Sequence, residues 1–155
     1  MDDADAESAL FARLYPSLRR FAAVTDATDV DPDDLVQEAV ARAIRIRPLT
    51  ALDDPAAYLR RTIVNLAKNR RRGLARARLA LGRLSNEART EAEYSSDLTD
   101  LQRLGPVARA VLFLVEVEGW TYAAASQQLG MTGQAARTCA SRARRRLRLE
   151  MEEEL

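Results

Sequence analysis

The chain contains no histidine, one cysteine (Cys139) and one lysine (Lys68) among 155 residues. Without histidine no side chain is poised to trade a proton near neutral pH, so nucleophilic triads and histidine–metal hydrolysis lack their usual base. A lone cysteine gives neither a disulfide framework nor a set of soft metal ligands, and no cofactor is expected. No apolar run approaches the length of a membrane span, and the acidic N-terminus is unlike a secretory signal. The expectation is therefore a cytoplasmic protein with no membrane insertion. Strand signals are missing as well: β-branched residues are few and period-two alternation is absent, which leaves an all-α fold.

What the chain does have is charge, and it is segregated. A near-neutral total (24 basic against 23 acidic side chains) hides a block at residues 58–83 with nine basic residues and no acidic one. Residues 1–57 carry 6 basic against 12 acidic side chains, and residues 84–120 carry 3 against 7. A solvated helix face usually mixes signs, so a block of one sign points to a polyanion, with the acidic surfaces left for another partner. Within the block, Leu59, Ile63, Leu66, Arg70 (through its stem) and Leu74 recur at helical spacing, and Arg61, Asn65, Lys68, Asn69 and Arg72 fall on the other side. Arginines and asparagines opposite a buried stripe suit phosphates and base edges.

The remaining elements also read as helices. Residues 7–25 carry the stripe Leu10, Phe11, Leu14, Leu18, Phe21 and Ala22, with Pro16 expected to kink or break it. Asp31-Pro32-Asp33-Asp34 is a strong helix start, with a capping side chain, a proline at the first position and carboxylates where the helix dipole favours them. The helix that follows should bury Leu35, Val36, Ala39, Val40, Ala43 and Ile44, leaving Asp34, Gln37 and Glu38 outside. Residues 46–55 read as a loop, and the polar stretch Ser85–Thr99 as a linker. Beyond it, Leu104-Gly105-Pro106 opens a helix that Gly119 closes. Then come a short helix from Tyr122 to Leu129, the turn Gly130-Met131-Thr132 and a last helix, in the order of a helix-turn-helix. In that last helix Ala136, Cys139, Ala140, Ala143 and Leu147 face inward. Gln134, Arg137, Thr138, Ser141, Arg142 and Arg145 line the outside, as a recognition helix would place them in a major groove.

Taken together, these motifs resemble a known family. Asp33-Asp34-Leu35-Val36-Gln37-Glu38, Asp54-Pro55-Ala56-Ala57-Tyr58-Leu59-Arg60-Arg61 and Val64-Asn65-Leu66-Ala67, followed by an arginine run, resemble region 2 of the extracytoplasmic-function (group IV) sigma factors of bacterial RNA polymerase. Glu118-Gly119-Trp120-Thr121-Tyr122, Leu129-Gly130 and Ser141-Arg142-Ala143-Arg144-Arg145-Arg146-Leu147 resemble region 4 of that family; the SigE-like actinobacterial type is the expected subtype. The resemblance implies two small helical domains joined by a flexible linker: region 2 over 1–83, the linker over 84–99 and a region 4 helix-turn-helix over 100–155. It implies a non-enzymatic subunit that binds core RNA polymerase (β′ and β) and promoter DNA, sits at the nucleoid when so bound, and has an anti-sigma protein as a further candidate partner.

Roles follow by the same resemblance. Asp34, Gln37 and Glu38 would dock on polymerase. The loop from Arg45 to Asp54, with Tyr58, Arg61 and Asn65, would hold the melted −10 strand and a flipped-out base, and Lys68, Arg71 and Arg72 would hold phosphates. Arg137, Thr138, Ser141 and Arg142 would read the −35 element. The chain also departs from the family pattern. Ala124-Ala125-Ser126 stands where Glu-Ile-Ala is usual, Gly133-Gln134-Ala135-Ala136 replaces the usual start of the recognition helix, and Tyr58 stands where many relatives carry tryptophan. The first two changes thin the core of the second unit, which should be the less stable of the two alone. They also favour the alternative reading, a sigma-like mimic that binds an anti-sigma protein without initiating transcription. Against it stands the intact Arg/Asn face of residues 58–72. Cys139 reads as a small core residue rather than a redox switch, and Trp120 as a packing residue.

Overall fold

A computed structural model describes residues 2–26, 30–84 and 104–153; the expected linker, apart from Leu84, lies outside the described residues. Among the described residues every regular element is helical: α1 (Asp3–Thr25), α2 (Pro32–Ile46), α3 (Pro55–Leu84), α4 (Pro106–Leu112), α5 (Tyr122–Leu129) and α6 (Gly133–Glu153). A 3-10 turn, Leu49–Ala51, lies between α2 and α3, and a wide π turn, Phe113–Val117, follows α4.

Local chemistry starts most of these elements. The Asp31 carboxylate accepts from the Asp33 N–H at 2.9 Å with Pro32 at the first helical position, and the Asp54 carboxylate accepts from the Ala57 N–H at 3.0 Å to start α3. Thr121 caps α5 by accepting from the Ala124 N–H at 3.1 Å. Gly130 ends α5 at φ +69°, a left-handed conformation that a β-carbon disfavours.

Helices α1, α2 and α3 pack against one another around Leu18, Phe21, Leu35, Val36, Leu49, Leu59 and Ile63. The C-terminal helices form the second of the two small units and pack against the first. Ala110, Phe113, Leu114 and Ala125 enter the same core, and Phe21 meets Phe113 edge-on at 6.3 Å between ring centroids. Polar contacts close the junction: the Arg109 Nε donates to the Val24 carbonyl at 2.6 Å, and Arg20 pairs with Glu118 at 3.8 Å. The cluster within the C-terminal unit itself is small, centred on Val111, Ala136 and Ala140. Full burial of a Phe or Leu side chain contributes about 1.5–3 kcal/mol, so Phe113 and Leu114 give the C-terminal unit a strong reason to stay docked.

Three local expectations change. Helix α1 runs unbroken through Pro16. The proline forfeits one backbone bond, but apolar residues on both sides of it pack into one core, and that packing keeps the helix continuous. Ile44 is 50% exposed, because Ala43 takes the inward position and the next residue turns about 100° away. Leu74 is 44% exposed, since α3 runs on past the bundle and residues 71–82 meet solvent all round.

Candidate nucleic-acid interface

The basic block lies on α3, and its two sides have different fates. Leu59, Ile63, Val64, Leu66 and Ala67 are buried, whereas Asn65, Asn69, Arg71 and Arg72 are exposed and Lys68 is half-buried. Not every cation of the block faces out. Arg60 is 8% exposed, with Nη2 donating to the Ser17 hydroxyl at 3.0 Å and the guanidinium 5.3 Å from the Trp120 ring centroid. Arg70, placed on the inward stripe by its stem, sends Nη1 to Asp26 and Nη2 to Glu38, both at 3.4 Å.

At the start of α3 the chain forms an open cleft of about 400 Å³. Ala43 and Ile46 line it from the end of α2, and Arg47, Leu52, Asp53 and Asp54 from the loop. Ala57, Tyr58 and Arg61 complete it from α3. The geometry therefore brings the loop, Tyr58 and Arg61 to one cavity, while Asn65, Lys68, Arg71 and Arg72 continue along the helix outside it. A cleft with an aromatic ring, a guanidinium and carboxylates can both stack a planar ring and hydrogen-bond its edges.

Arg61 is already engaged. Its Nη2 donates to the Gln127 carbonyl at 2.6 Å and its Nε to the Gln128 carbonyl at 3.1 Å, at the C-terminal end of α5, where orphan carbonyls collect negative partial charge. A β-carbon on Gly130 would stand 3.1 Å from the Arg61 Nε, so the glycine also lets α5 approach this closely. Next to it, Gln128 is buried. With its amide oriented to suit its neighbours, its oxygen accepts from Arg60 Nη1 at 2.9 Å and shares the Ala57 N–H, at 2.8 Å, with the Asp54 carboxylate. Ala125, where the family usually has isoleucine, and Ser126, where it usually has alanine, are both buried against this junction, and Ser126 returns its hydroxyl to the Ala123 carbonyl at 2.8 Å.

The other expected sites are on open faces. On α2, Asp34 and Gln37 are exposed, but Glu38 accepts from Arg42 at 3.1 Å as well as from Arg70, so it is shared with the protein's own network. On α6, Arg137, Ser141 and Arg142 are exposed and Thr138 is half-buried. Arg137 and Arg144 each lie 6.0 Å from the Tyr122 ring centroid, and Arg144 also pairs with Glu116, which raises its pKa further. Cys139 is half-buried, and burial pushes its thiol pKa up against the pull of Arg142.

One contact in the loop beside the cleft has no signature in the sequence. Glu7, near the start of α1, accepts from the backbone N–H groups of Leu49 at 2.5 Å and Thr50 at 3.2 Å. Desolvation pushes the Glu7 pKa up, but the backbone donors and the Thr50 side chain outweigh it and leave the carboxyl below its ordinary range. Forty-two residues separate Glu7 from Leu49, so no local spacing could have paired them.

Two family models match the chain. The family described as Sigma-70 region 2 matches residues 10–77, and that described as Sigma-70, region 4 matches residues 101–147. The chain is similar to the ECF RNA polymerase sigma factor SigM of two Mycobacterium tuberculosis strains, 29% identical over 143 residues that span 89% of this chain and 73% of that protein. The finer SigE-like placement finds no support in these relatives. Among solved structures, the sigma factor RpoE in complex with the anti-sigma factor NepR, from Bartonella quintana, is similar with a TM-score of 0.60. It is 20% identical and covers 94% of this chain and 96% of that one, a likeness of fold.

Proposed function

Since the chain belongs to the sigma-70 family, as a sigma factor of the extracytoplasmic-function type that binds core RNA polymerase and directs transcription initiation at promoters, we propose that it divides this work by helix face. Residues 1–83 dock on polymerase and take the −10 element, residues 84–99 connect, and residues 100–155 take the −35 element. The cleft between the 46–54 loop and α3 receives a base of the melted −10 strand, with Tyr58 as the stacking face and Arg61 at the rim. Asn65 borders the strand, and Lys68, Arg71 and Arg72 track its phosphates, adding affinity and salt dependence rather than sequence choice. Arg137, Thr138, Ser141 and Arg142 enter the major groove of the −35 duplex. Such a factor works in the cytoplasm, at the nucleoid when bound, and contributes no catalysis of its own.

The observation that carries this reading is the cleft itself, which joins Tyr58 and Arg61 to the loop at the head of a one-sided basic helix. It also weighs against a sigma-like mimic, which has no need for a base-sized cavity or an exposed Arg/Asn stripe. An anti-sigma protein remains a candidate partner, since the structurally similar RpoE is seen with one.

The polymerase face on α2 is tested by binding the purified chain to core RNA polymerase, alongside an Asp34→Lys/Gln37→Lys double variant. Both residues are exposed, whereas Glu38→Lys would also break the Arg70 network. The wild type should bind, and the variant should lose about tenfold or more through like-charge contact with a basic partner. No binding by the wild type would remove the polymerase role, and equal binding by the variant would move the docking face elsewhere.

A further inference from the structure

We propose that Glu7 is a positioning residue for −10 recognition: from α1 it fixes the loop that walls the base cleft. This rests on the reading of the cleft given above. The loop contributes Arg47, Leu52, Asp53 and Asp54 to the cavity, yet most of it is exposed. Two attachments tie its 3-10 turn to the body of the protein. The Leu49 side chain is buried in the core, and the Leu49 and Thr50 N–H groups point into the Glu7 carboxylate. No side chain within the turn caps it, so these donors, orphaned at the start of any helical turn, are satisfied from a distant helix. The turn then closes on itself, with the Ala51 N–H donating to the Pro48 carbonyl and the Leu52 N–H to the Leu49 carbonyl. Leu52 is thus hydrogen-bonded to the residue that Glu7 grips, and it lines the cleft beside Asp53 and Asp54.

Leu49 fixes the depth of the turn, but a single apolar anchor leaves rotation about itself free. The two bonds to one carboxylate remove that rotation and set where Leu52 and Asp53 stand. A cleft that discriminates among bases by edge contacts needs its wall fixed before the base arrives, since ordering the wall on binding draws on the same free energy that discriminates. Without the carboxylate, water can satisfy the two amides, and the loop samples positions that accept several bases alike.

The test uses holoenzyme assembled from the full chain and core RNA polymerase. It selects from a pool of forked DNA whose non-template −10 strand is randomised, and the bound molecules are sequenced. Wild type should enrich a −10 motif. Glu7→Ala should lose about fivefold of the enrichment at one position while the others hold, a fraction of what one mismatched base costs. Glu7→Gln keeps one acceptor oxygen and should fall between them. Enrichment unchanged at every position overturns the proposal. So does an equal loss at all positions, which would make Glu7 a general support of the fold. Should Glu7→Ala fail to fold, amide exchange at Leu49 and Thr50 in Glu7→Gln decides: faster exchange there alone supports the clamp, and unchanged exchange overturns it. No −10 enrichment by the wild type would instead fail the cleft reading itself.

Discussion

Arg60→Ala should be among the most destabilising single changes in this chain, and Arg60→Met should be tolerated. The guanidinium sits where the two halves meet, between the Phe21 ring at 5.8 Å and the Trp120 ring at 5.3 Å. It donates to Ser17 on one side and, with the amide turned to suit, to Gln128 on the other. Hydrogen bonds from a charged donor contribute about 1.5–3 kcal/mol each, and a desolvated cation over a ring about 1–2 kcal/mol. Against these stands the cost of burying the charge, several kcal/mol in a protein interior. The Nε also has no hydrogen-bond partner among the described residues. Burial accordingly lowers the Arg60 pKa, and the more distant Glu118 and Asp54 only partly oppose it.

The gains and the cost nearly cancel, so the charge itself adds little. Truncation differs, because Ala leaves a cavity between two aromatic rings and strips Gln128 and Ser17 of a partner. A loss of roughly 3–5 kcal/mol is expected for Ala, and about 1 kcal/mol or less for Met, which refills the volume and lies along the rings. Urea unfolding of the full chain, with the slope checked for constancy, reads both values. An Ala variant losing under about 1 kcal/mol would show that Arg60 does not hold the junction. A Met variant as damaged as Ala would show that the hydrogen bonds, rather than the filled volume, carry the site.

The remaining expectations are simpler. A Lys68→Ala/Arg72→Ala variant should lower the steepness of log K against log salt by about 1.4 for single-stranded −10 DNA, with sequence preference unchanged; an unaltered slope would take these side chains off the phosphates. The folded-state pKa of Glu7 is depressed, so its contribution is present above the ordinary glutamate range and is lost as pH falls through the lowered value. The stability gap between wild type and Glu7→Gln should therefore close on acidification, and a constant gap would deny the carboxylate its role. Burial raises the Cys139 pKa, so it should alkylate more slowly than a free thiol at pH 8, and a fast reaction would reopen a redox role.

Features coded within a few residues were legible in the sequence. Asp31-Pro32 predicts the start of α2 because the capping carboxylate and the N–H that donates to it are two residues apart, and Gly130 predicts the turn because glycine takes its backbone angles without strain. The one-sided basic helix was legible because a helix repeats every 3.6 residues. What was hidden depends on docking. Arg60 and Arg61 are adjacent arginines with no difference in type, yet one is enclosed between rings and the other reaches carbonyls of α5. That distinction comes from Trp120, Gln127 and Gln128, more than fifty residues away, and periodicity within α3 carries no trace of them. Glu7 was hidden for the same reason: its acceptors serve backbone amides, which every residue possesses.

The packing of the two halves bears on how such a protein meets a promoter. The names −35 and −10 denote positions about 25 base pairs apart, about 85 Å along B-form DNA at 3.4 Å per step. A compact chain of this length has a radius of gyration near 15 Å, and its longest helix, the 30 residues of α3, is about 45 Å long, roughly half that distance. With α4 and α5 against α1 and α3, one molecule cannot reach both elements, and Arg61 cannot serve the α5 carbonyls and a DNA strand together. On the proposed reading of the two elements, the promoter-bound form is therefore open. Core polymerase can supply the opening only by binding the open form more tightly than the closed one. It follows that weakening the junction should lower stability and raise affinity for core. Gln128→Ala isolates this effect, because its side-chain bonds to Ala57 and Arg60 cross the junction and leave the packing of α1 to α3 untouched. If those bonds favour the closed form by about 1.4 kcal/mol, the variant should bind core up to about tenfold more tightly while melting earlier. Weaker or unchanged binding in a variant that melts earlier would mean that core polymerase takes the packed form as it stands.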